Sequence, residues 1–432
     1  MMLQQFIDNL RKQHLFPLGQ EVLLAVSGGR DSVVMFDLCR RAGIPFAVAH
    51  CNFHLRPGDC DRDQQFVHRL AKSHHVPFHT IDFDTHLYAK QNAMSLEEAA
   101  RDLRYRWFAA LCEGQGYACI AVAHHRDDSV ETLFLNLFRG TGIAGLHGIR
   151  PRTTIHGAVV VRPLLPFSRA DIDSYVAEHG LDYVEDVTNQ TLVARRNRIR
   201  NELLPRLRKF YPAIDQTLAA NIRRFAEVEQ VYDNYMLLMR EQLVRPLPRR
   251  VPTIPVPPMG ITLDDIPEPR STILYELLLP YGVNSKTVRQ ILFGNNQTGA
   301  LFPSVTHDIF LDRGRLVLGS RVEPVKPVLS MTEERFSNGK QGIFVDADTL
   351  TPPFSLRLWQ PGDTIHPLGF NHTRKVSDVL KDLKLSRYDK RYVWLLVDSA
   401  GTIVWIVGLV QNHLFRTTSR TARVLHICLE NC

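Results

Sequence analysis

Over the first two hundred residues, short apolar β-rich runs alternate with helical segments, and this alternation constrains the fold more than any other feature. Val22 to Val26 reads as a buried strand and leads through a glycine turn into a helix from Ser32 to Arg41. Phe46 to His50 is the next strand, followed by a helix from Asp61 to His74, and Phe78 to Phe83 is the third. Ser95 with Glu98 three residues on forms a capping box for a helix reaching Glu113. Cys119 to His124 is a fourth strand that enters a helix from Asp127 to Phe138. Val159 to Leu164, a Ser168-capped helix to His179, and Tyr183 to Glu185 complete the series. Such a chain is expected to build an α/β, doubly wound parallel sheet with helices on both faces and ligands at the carboxyl ends of its strands.

The 432 residues exceed one ordinary core. The texture changes after Tyr211, where Ile214 to Val244 reads as a long amphipathic helix followed by a proline-rich stretch from Pro246 to Pro258. Beyond Met331 the chain turns β-rich, with strands expected at Ile343 to Val345, Leu356 to Trp359, Trp394 to Val397 and Ile403 to Val407. The expected domains are 1–212, 213–328 (helical) and 329–432 (small and β-containing). No apolar run approaches the roughly 18 residues of a membrane span, and no signal-peptide core opens the chain, so a cytoplasmic protein is expected. A net charge of +7 favours an anionic partner. Seven cysteines without a CxxC pair fit reduced thiols better than a disulfide framework.

Two strings carry chemistry. Ser27-Gly28-Gly29-Arg30-Asp31-Ser32 stands between a buried strand and a helix start, where glycines admit backbone amides close to a phosphate chain and the helix end adds positive potential. It lacks the lysine of a Walker loop. In His124-His125-Arg126-Asp127-Asp128-Ser129-Val130-Glu131-Thr132, the side chains of His124, Asp128 and Glu131 share one helix face. They can hold Mg²⁺, or receive an ammonium group and its proton. A third string, Arg195 to Lys209, carries seven basic residues against Glu202, and helical spacing sorts it into two edges, Arg196 with Arg200 and Arg195 with Arg198.

SGGxDS resembles the pyrophosphate loop of the N-type ATP pyrophosphatases, which adenylate a substrate and release pyrophosphate. Within that superfamily HHxxDDxxET resembles the tRNA(Ile)-lysidine synthetases. Glu98-Ala99-Ala100-Arg101 with Arg104-Tyr105, the Arg139-Gly140-Thr141-Gly142 loop through Gly148, Asp186 to Asn189, and Arg196 to Arg200 resemble further strings of that family, in the family's order. His50 to Arg56 resembles its HxNHxLR segment, but Phe53 replaces the second histidine and His54 is displaced by one, so neither receives a role. Val187 and Thr188 stand where proline and serine are usual. Pro361-Gly362-Asp363, Pro367-Leu368-Gly369, Lys375 to Asp378, Lys384 and Arg391 resemble the small tRNA-contacting domain of longer members.

The resemblance implies ligation of free lysine to carbon 2 of the wobble cytidine in a CAU-anticodon isoleucine tRNA, through an adenylated cytidine and with ATP and Mg²⁺. It implies ATP binding by Ser27, Gly28, Gly29, Arg30, Asp31 and Ser32. Metal binding falls to Asp31, Asp128 and Glu131, with the last two equally suited to the lysine ammonium. His124, Arg101 and Arg104 join them as catalytic candidates, and Arg139, Arg195, Arg196, Arg198 and Arg200 as tRNA contacts. A homodimer stays open, and no membrane partner is implied. The rival enzyme reading, tRNA thiolation, lacks its cysteine pairs here; a non-catalytic RNA-binding protein would not need SGGxDS and DDxxE intact.

Overall fold

The computed structural model describes residues 1–54, 59–184, 194–334 and 341–430. They fall into two compact units, Met1–Val231 and Tyr232–Cys432. Among the described residues no helix is long and apolar enough to cross a membrane.

The first unit runs α1 (Met2–Lys12), β1 (Val22–Ala25), α2 (Arg30–Arg41), β2 (Phe46–Asn52), α3 (Asp59–Ser73), β3 (Phe78–Asp82), α4 (Thr85–Gln91) and α5 (Leu96–Gln115). It continues through β4 (Ile120–Ala121), α6 (Arg126–Arg139), β5 (Arg152–Ile155), β6 (Ala158–Val161) and α7 (Arg169–His179). After residue 194 come α8 (Ala194–Arg198), a π-helical turn (Ile199–Leu203), α9 (Leu204–Phe210) and α10 (Ile214–Leu243), the last extending into the second unit.

The strand order is β3-β2-β1-β4-β6-β5. β1 pairs in parallel with β2 on one side and β4 on the other, and β4 with β6, so chain direction across the sheet reverses at β1/β4. That reversal opens a crevice at the carboxyl ends of the strands. The sheet is parallel as expected except for its edge: β5 is antiparallel to β6 across a turn at His156 and Gly157, both with positive φ. The expected strand at Tyr183 to Glu185 is not formed at Tyr183 and Val184, and Glu185 lies outside the described residues. The Val184 amide instead donates to the Gly28 carbonyl at 2.9 Å.

Alternation along β1 decides what covers each face. Val22, Leu24 and Val26 pack with Phe6 of α1, Val34 and Leu38 of α2, Val67 of α3 and Ile172 of α7. Leu23 turns the other way, onto Tyr105 and Phe108 of α5. Each such buried aliphatic side chain contributes about 1.5–3 kcal/mol. The expected Ser95–Glu98 capping box starts α5, and Ser168 with Asp171 does the same for α7; both helices stop at a left-handed glycine, Gly116 and Gly180. A smaller core joins Val130 and Phe134 of α6 to Ile199, Leu204 and Leu207, and so fixes the 194–210 segment against the helix bearing the acidic string.

In the second unit, helices Arg270–Leu278 and Ser285–Phe293 pack on an antiparallel sheet whose hairpin, His307–Asp312 with Arg315–Ser320, turns at Arg313 and Gly314. The middle region is thus helical as expected, with strands between Arg245 and Ser320 added. The expected late strands form at Ile343–Asp346, Ser355–Leu358, Trp394–Val397 and Ile403–Ile406.

Candidate active site

The glycine string forms a tight cradle at the start of α2. Gly28 has φ near +92°, where a side chain is strained, and a Cβ there would also lie 3.3 Å from Val67. Ser27 Oγ accepts the Gly29 amide at 3.3 Å and lies 3.2 Å from Ser32 Oγ, while Ser32 Oγ donates to the Gly29 carbonyl at 2.8 Å. The first amides of α2 have no helical acceptor, an arrangement whose chemistry suits an anion. The Arg30 side chain turns away, to Asp173 at 2.5 Å and the Tyr183 hydroxyl at 2.9 Å, so this expected ATP ligand offers only its backbone to the cradle.

Asp31 leaves the first turn of α2 into a dense ionic cluster. Arg169, the first residue of α7, grips both its oxygens at 2.6 and 3.2 Å. The His125 ring is buried between Asp31 at 3.8 Å, Asp127 at 3.7 Å and Asp128 at 3.5 Å. Burial pulls that imidazole down, but the carboxylates of Asp127, Asp128 and Asp31 outweigh it and hold it above the ordinary histidine value. Burial raises Asp31, with His125 and Arg169 opposing. Burial also opposes the charge of Asp128, yet His125, Arg196 and His124 keep it below the usual carboxylate range.

Asp128 and Glu131 meet two arginines of the 194–200 segment. Arg196 donates to Glu131 Oε2 at 2.6 Å and to Asp128 Oδ1 at 3.0 Å. Arg200 donates to Glu131 Oε1 at 2.6 Å and Oε2 at 3.0 Å. The Glu131 side chain is 1 % exposed and both arginines about a third. His124 is pushed down to about 4, first by burial and then by Arg162, Arg196 and Arg101, with Asp128 opposing. It is therefore neutral at pH 7, and its Nδ1 is buried with no hydrogen-bond partner among the described residues.

Two pockets share the start of α6 as a wall. One, of about 380 Å³, is lined by Ser27, Gly29, Asp31, Ser32, Phe53, Arg104, His124, Asp128 and Arg196. The other, of about 530 Å³, is lined by His125, Asp127, Glu131, Arg169, Arg200, Arg208 and Asp215. Of the two arginines expected on α5, Arg104 lines the first pocket with its guanidinium over Phe53 at 5.1 Å, whereas Arg101 lies over Tyr105, a neighbour in the pocket wall. His54 bonds Asp82 at 2.9 Å; Leu55, Arg56 and the string Asp186 to Asn189 lie outside the described residues. Arg139, Arg195 and Arg198 line a separate cleft, so the expected tRNA set splits, with Arg196 and Arg200 turned inward. Among the described residues no group of three or more His, Cys, Asp or Glu side chains is arranged to hold a metal ion.

Sequence reasoning missed Arg169, Arg162 and Arg208. Arg169 carried a signal: a cation in the first turn of a capped helix opposes the helix dipole and needs a carboxylate to justify it. Arg208 did not, since it is one of seven basic residues in its run; it reaches Asp215 at 2.8 Å.

Family models for a PP-loop domain match residues 2–207, for the TilS substrate-binding domain 262–321, and for the TilS C-terminal domain 354–428. A tRNA(Ile)-lysidine synthase of Parabacteroides distasonis is 38% identical over 96% of this chain and 97% of its own. That of Bacteroides thetaiotaomicron is 36% identical, over 98% and 99%. The chain belongs to the tRNA(Ile)-lysidine synthase family. A third lysidine synthase, from Porphyromonas gingivalis, is 34% identical over 94% of this chain and 93% of its own. As a lysidine synthase the chain is an ATP-using ligase acting on tRNA, with the thiolation and non-catalytic readings not favoured.

Proposed function

We propose that this chain joins lysine to carbon 2 of the wobble cytidine of CAU-anticodon isoleucine tRNA in two steps within the cytoplasm, with residues 1–212 as catalytic domain and 213–328 and 329–432 as tRNA-binding domains. The cytidine O2 attacks the α-phosphorus of ATP, and the bond to pyrophosphate breaks. The lysine ε-nitrogen then bonds to carbon 2 as the carbon–oxygen bond breaks, and AMP leaves with the electron pair. The observation that carries this reading is the shared pocket, in which the glycine cradle, Asp31, a neutral His124 and Asp128 face one space.

The cradle amides with Ser27 and Ser32 take the terminal phosphates and stabilise the charge gathering on pyrophosphate. Mg²⁺ usually keeps several waters and takes one or two protein carboxylates beside phosphate oxygens. Asp31 and Asp128 fit that donor set, and the ion would supply charge neutralisation between phosphates. Lysine arrives protonated, with an ordinary value of about 10.4. Asp128 and Glu131 already hold guanidiniums, so the position suits a side-chain cation; the ammonium takes the place of Arg196, whose guanidinium is freed toward tRNA phosphate. His124 accepts the proton that the amine must lose before attack.

Incubation of the chain with ATP, labelled lysine and an unmodified CAU-anticodon isoleucine tRNA transcript tests the reading. Lysidine, AMP and pyrophosphate should appear in equal amounts. Release of AMP and pyrophosphate without tRNA, or label absent from the anticodon, would overturn it.

A further inference from the structure

The cleft that holds Arg139, Arg195 and Arg198 is unlike the two pockets of the active site. It measures about 560 Å³ and lies between the end of α6 and the 194–206 segment. Its floor is apolar, made by Leu135, Ile199 and Leu203, and its rim carries Phe138 and four arginines, the fourth being Arg206, against Glu202 alone.

Two features lack a structural reason. Phe138 is 67% exposed, with its ring 6.0 Å from that of Phe134, although a large aromatic side chain gains most by burial. Among the described residues none of the four arginines has an ion-pair partner, while Arg196, Arg200 and Arg208 of the same segment are all paired. An open ring beside unpaired guanidiniums matches a nucleotide, which offers a π-face and phosphates together. An apolar peptide would leave the four charges uncompensated.

We propose that this cleft holds one unstacked nucleotide of the RNA substrate, its base on the ring of Phe138 and its flanking phosphates on Arg139, Arg195, Arg198 and Arg206. The inference rests on the reading of the chain as a tRNA-modifying enzyme and gives that reading a second contact. α6 and the 194–200 segment present the catalytic carboxylates and their arginines on one side and this cleft on the other. A base that enters the active site must leave its stack, and a neighbouring nucleotide is then released from its own stacking partner. Phe138 replaces that partner and holds the opened loop.

The test is binding of the full-length chain to an anticodon stem–loop carrying 2-aminopurine at one loop position beside the wobble cytidine, in turn on each side. Phe138→Leu should weaken binding by about ten-fold and abolish the fluorescence quenching that stacking produces, and Phe138→Tyr should restore both. Arg195→Ala with Arg198→Ala should lower the slope of log affinity against log salt by about two. A wild-type affinity and quench in Phe138→Leu would overturn the proposal. So would equal losses in the leucine and tyrosine variants, or loss of self-association with RNA binding intact. Because the readout is binding, a wild type that binds the stem–loop but makes no lysidine would count against the function reading alone.

Discussion

Arg196 and Arg200 leave the helical segment after residue 194 on one edge, Arg195 and Arg198 on the other, and the two edges meet different company. The first pair is locked onto Glu131 and Asp128; the second faces an open cleft beside an exposed phenylalanine. Identical side chains one to five residues apart thus fall into separate classes: one completes a buried charge cluster, the other offers charge to solvent. Spacing sets the edge, but the surface each edge meets sets the role.

The largest effect should come from the carboxylate at the centre of the paired edge. Glu131→Gln keeps the shape and removes the charge assigned to the lysine ammonium in the proposed reaction. Lysidine formation should fall on the order of a hundred-fold, with adenylated tRNA accumulating and the lysine requirement rising, when both products are measured at saturating ATP. Loss of adenylation with an unchanged lysine requirement would make Glu131 a metal ligand. Next comes the contrast in stability. Arg196→Ala leaves a buried carboxylate short of a partner and should cost about 2–3 kcal/mol in denaturant unfolding, whereas Arg195→Ala should stay within about 0.5 kcal/mol. Equal losses would dissolve the distinction between the edges.

The smallest effect concerns pH. His124 is neutral in the fold down to about 4, against an ordinary value of 6.5, with burial first and Arg196 among the lesser causes. The folded value is the lower one, so the contribution is complete above pH 6.5 and is lost as pH falls toward 4, where the unfolded chain has taken up a proton that the folded chain refuses. The pH dependence of unfolding in wild type minus that in His124→Gln should show this window. Arg196→Ala should narrow it, and Arg195→Ala should leave it unchanged.

Most of the catalytic unit was legible because its signals are local. The strand runs, the glycine cradle, the capping boxes at Ser95 and Ser168 and the two-edged spacing of the arginines depend on residues close in sequence. The antiparallel edge strand Arg152–Ile155 escaped notice because its pairing is declared only by a turn at His156 and Gly157. Pairings across long separations were equally silent. Nothing in the string around Asp31 announces Arg169, and nothing in the acidic string says that Arg196 and Arg200 would meet it. In the second unit the late strands were readable from apolar runs, while the hairpin at Arg313 and Gly314 lay inside a stretch read as helical.

The bond from the Val184 amide to the Gly28 carbonyl has a consequence for biosynthesis. The glycine cradle is made well before its partners: its closing bond, the Arg169 grip on Asp31 and the Arg196 contact to Asp128 all come from chain made more than a hundred residues later. A nascent chain shorter than about this length carries the glycine string without a finished site. The proposed ATP site is therefore complete only once the segment through Arg200 has been made and has folded back over α6.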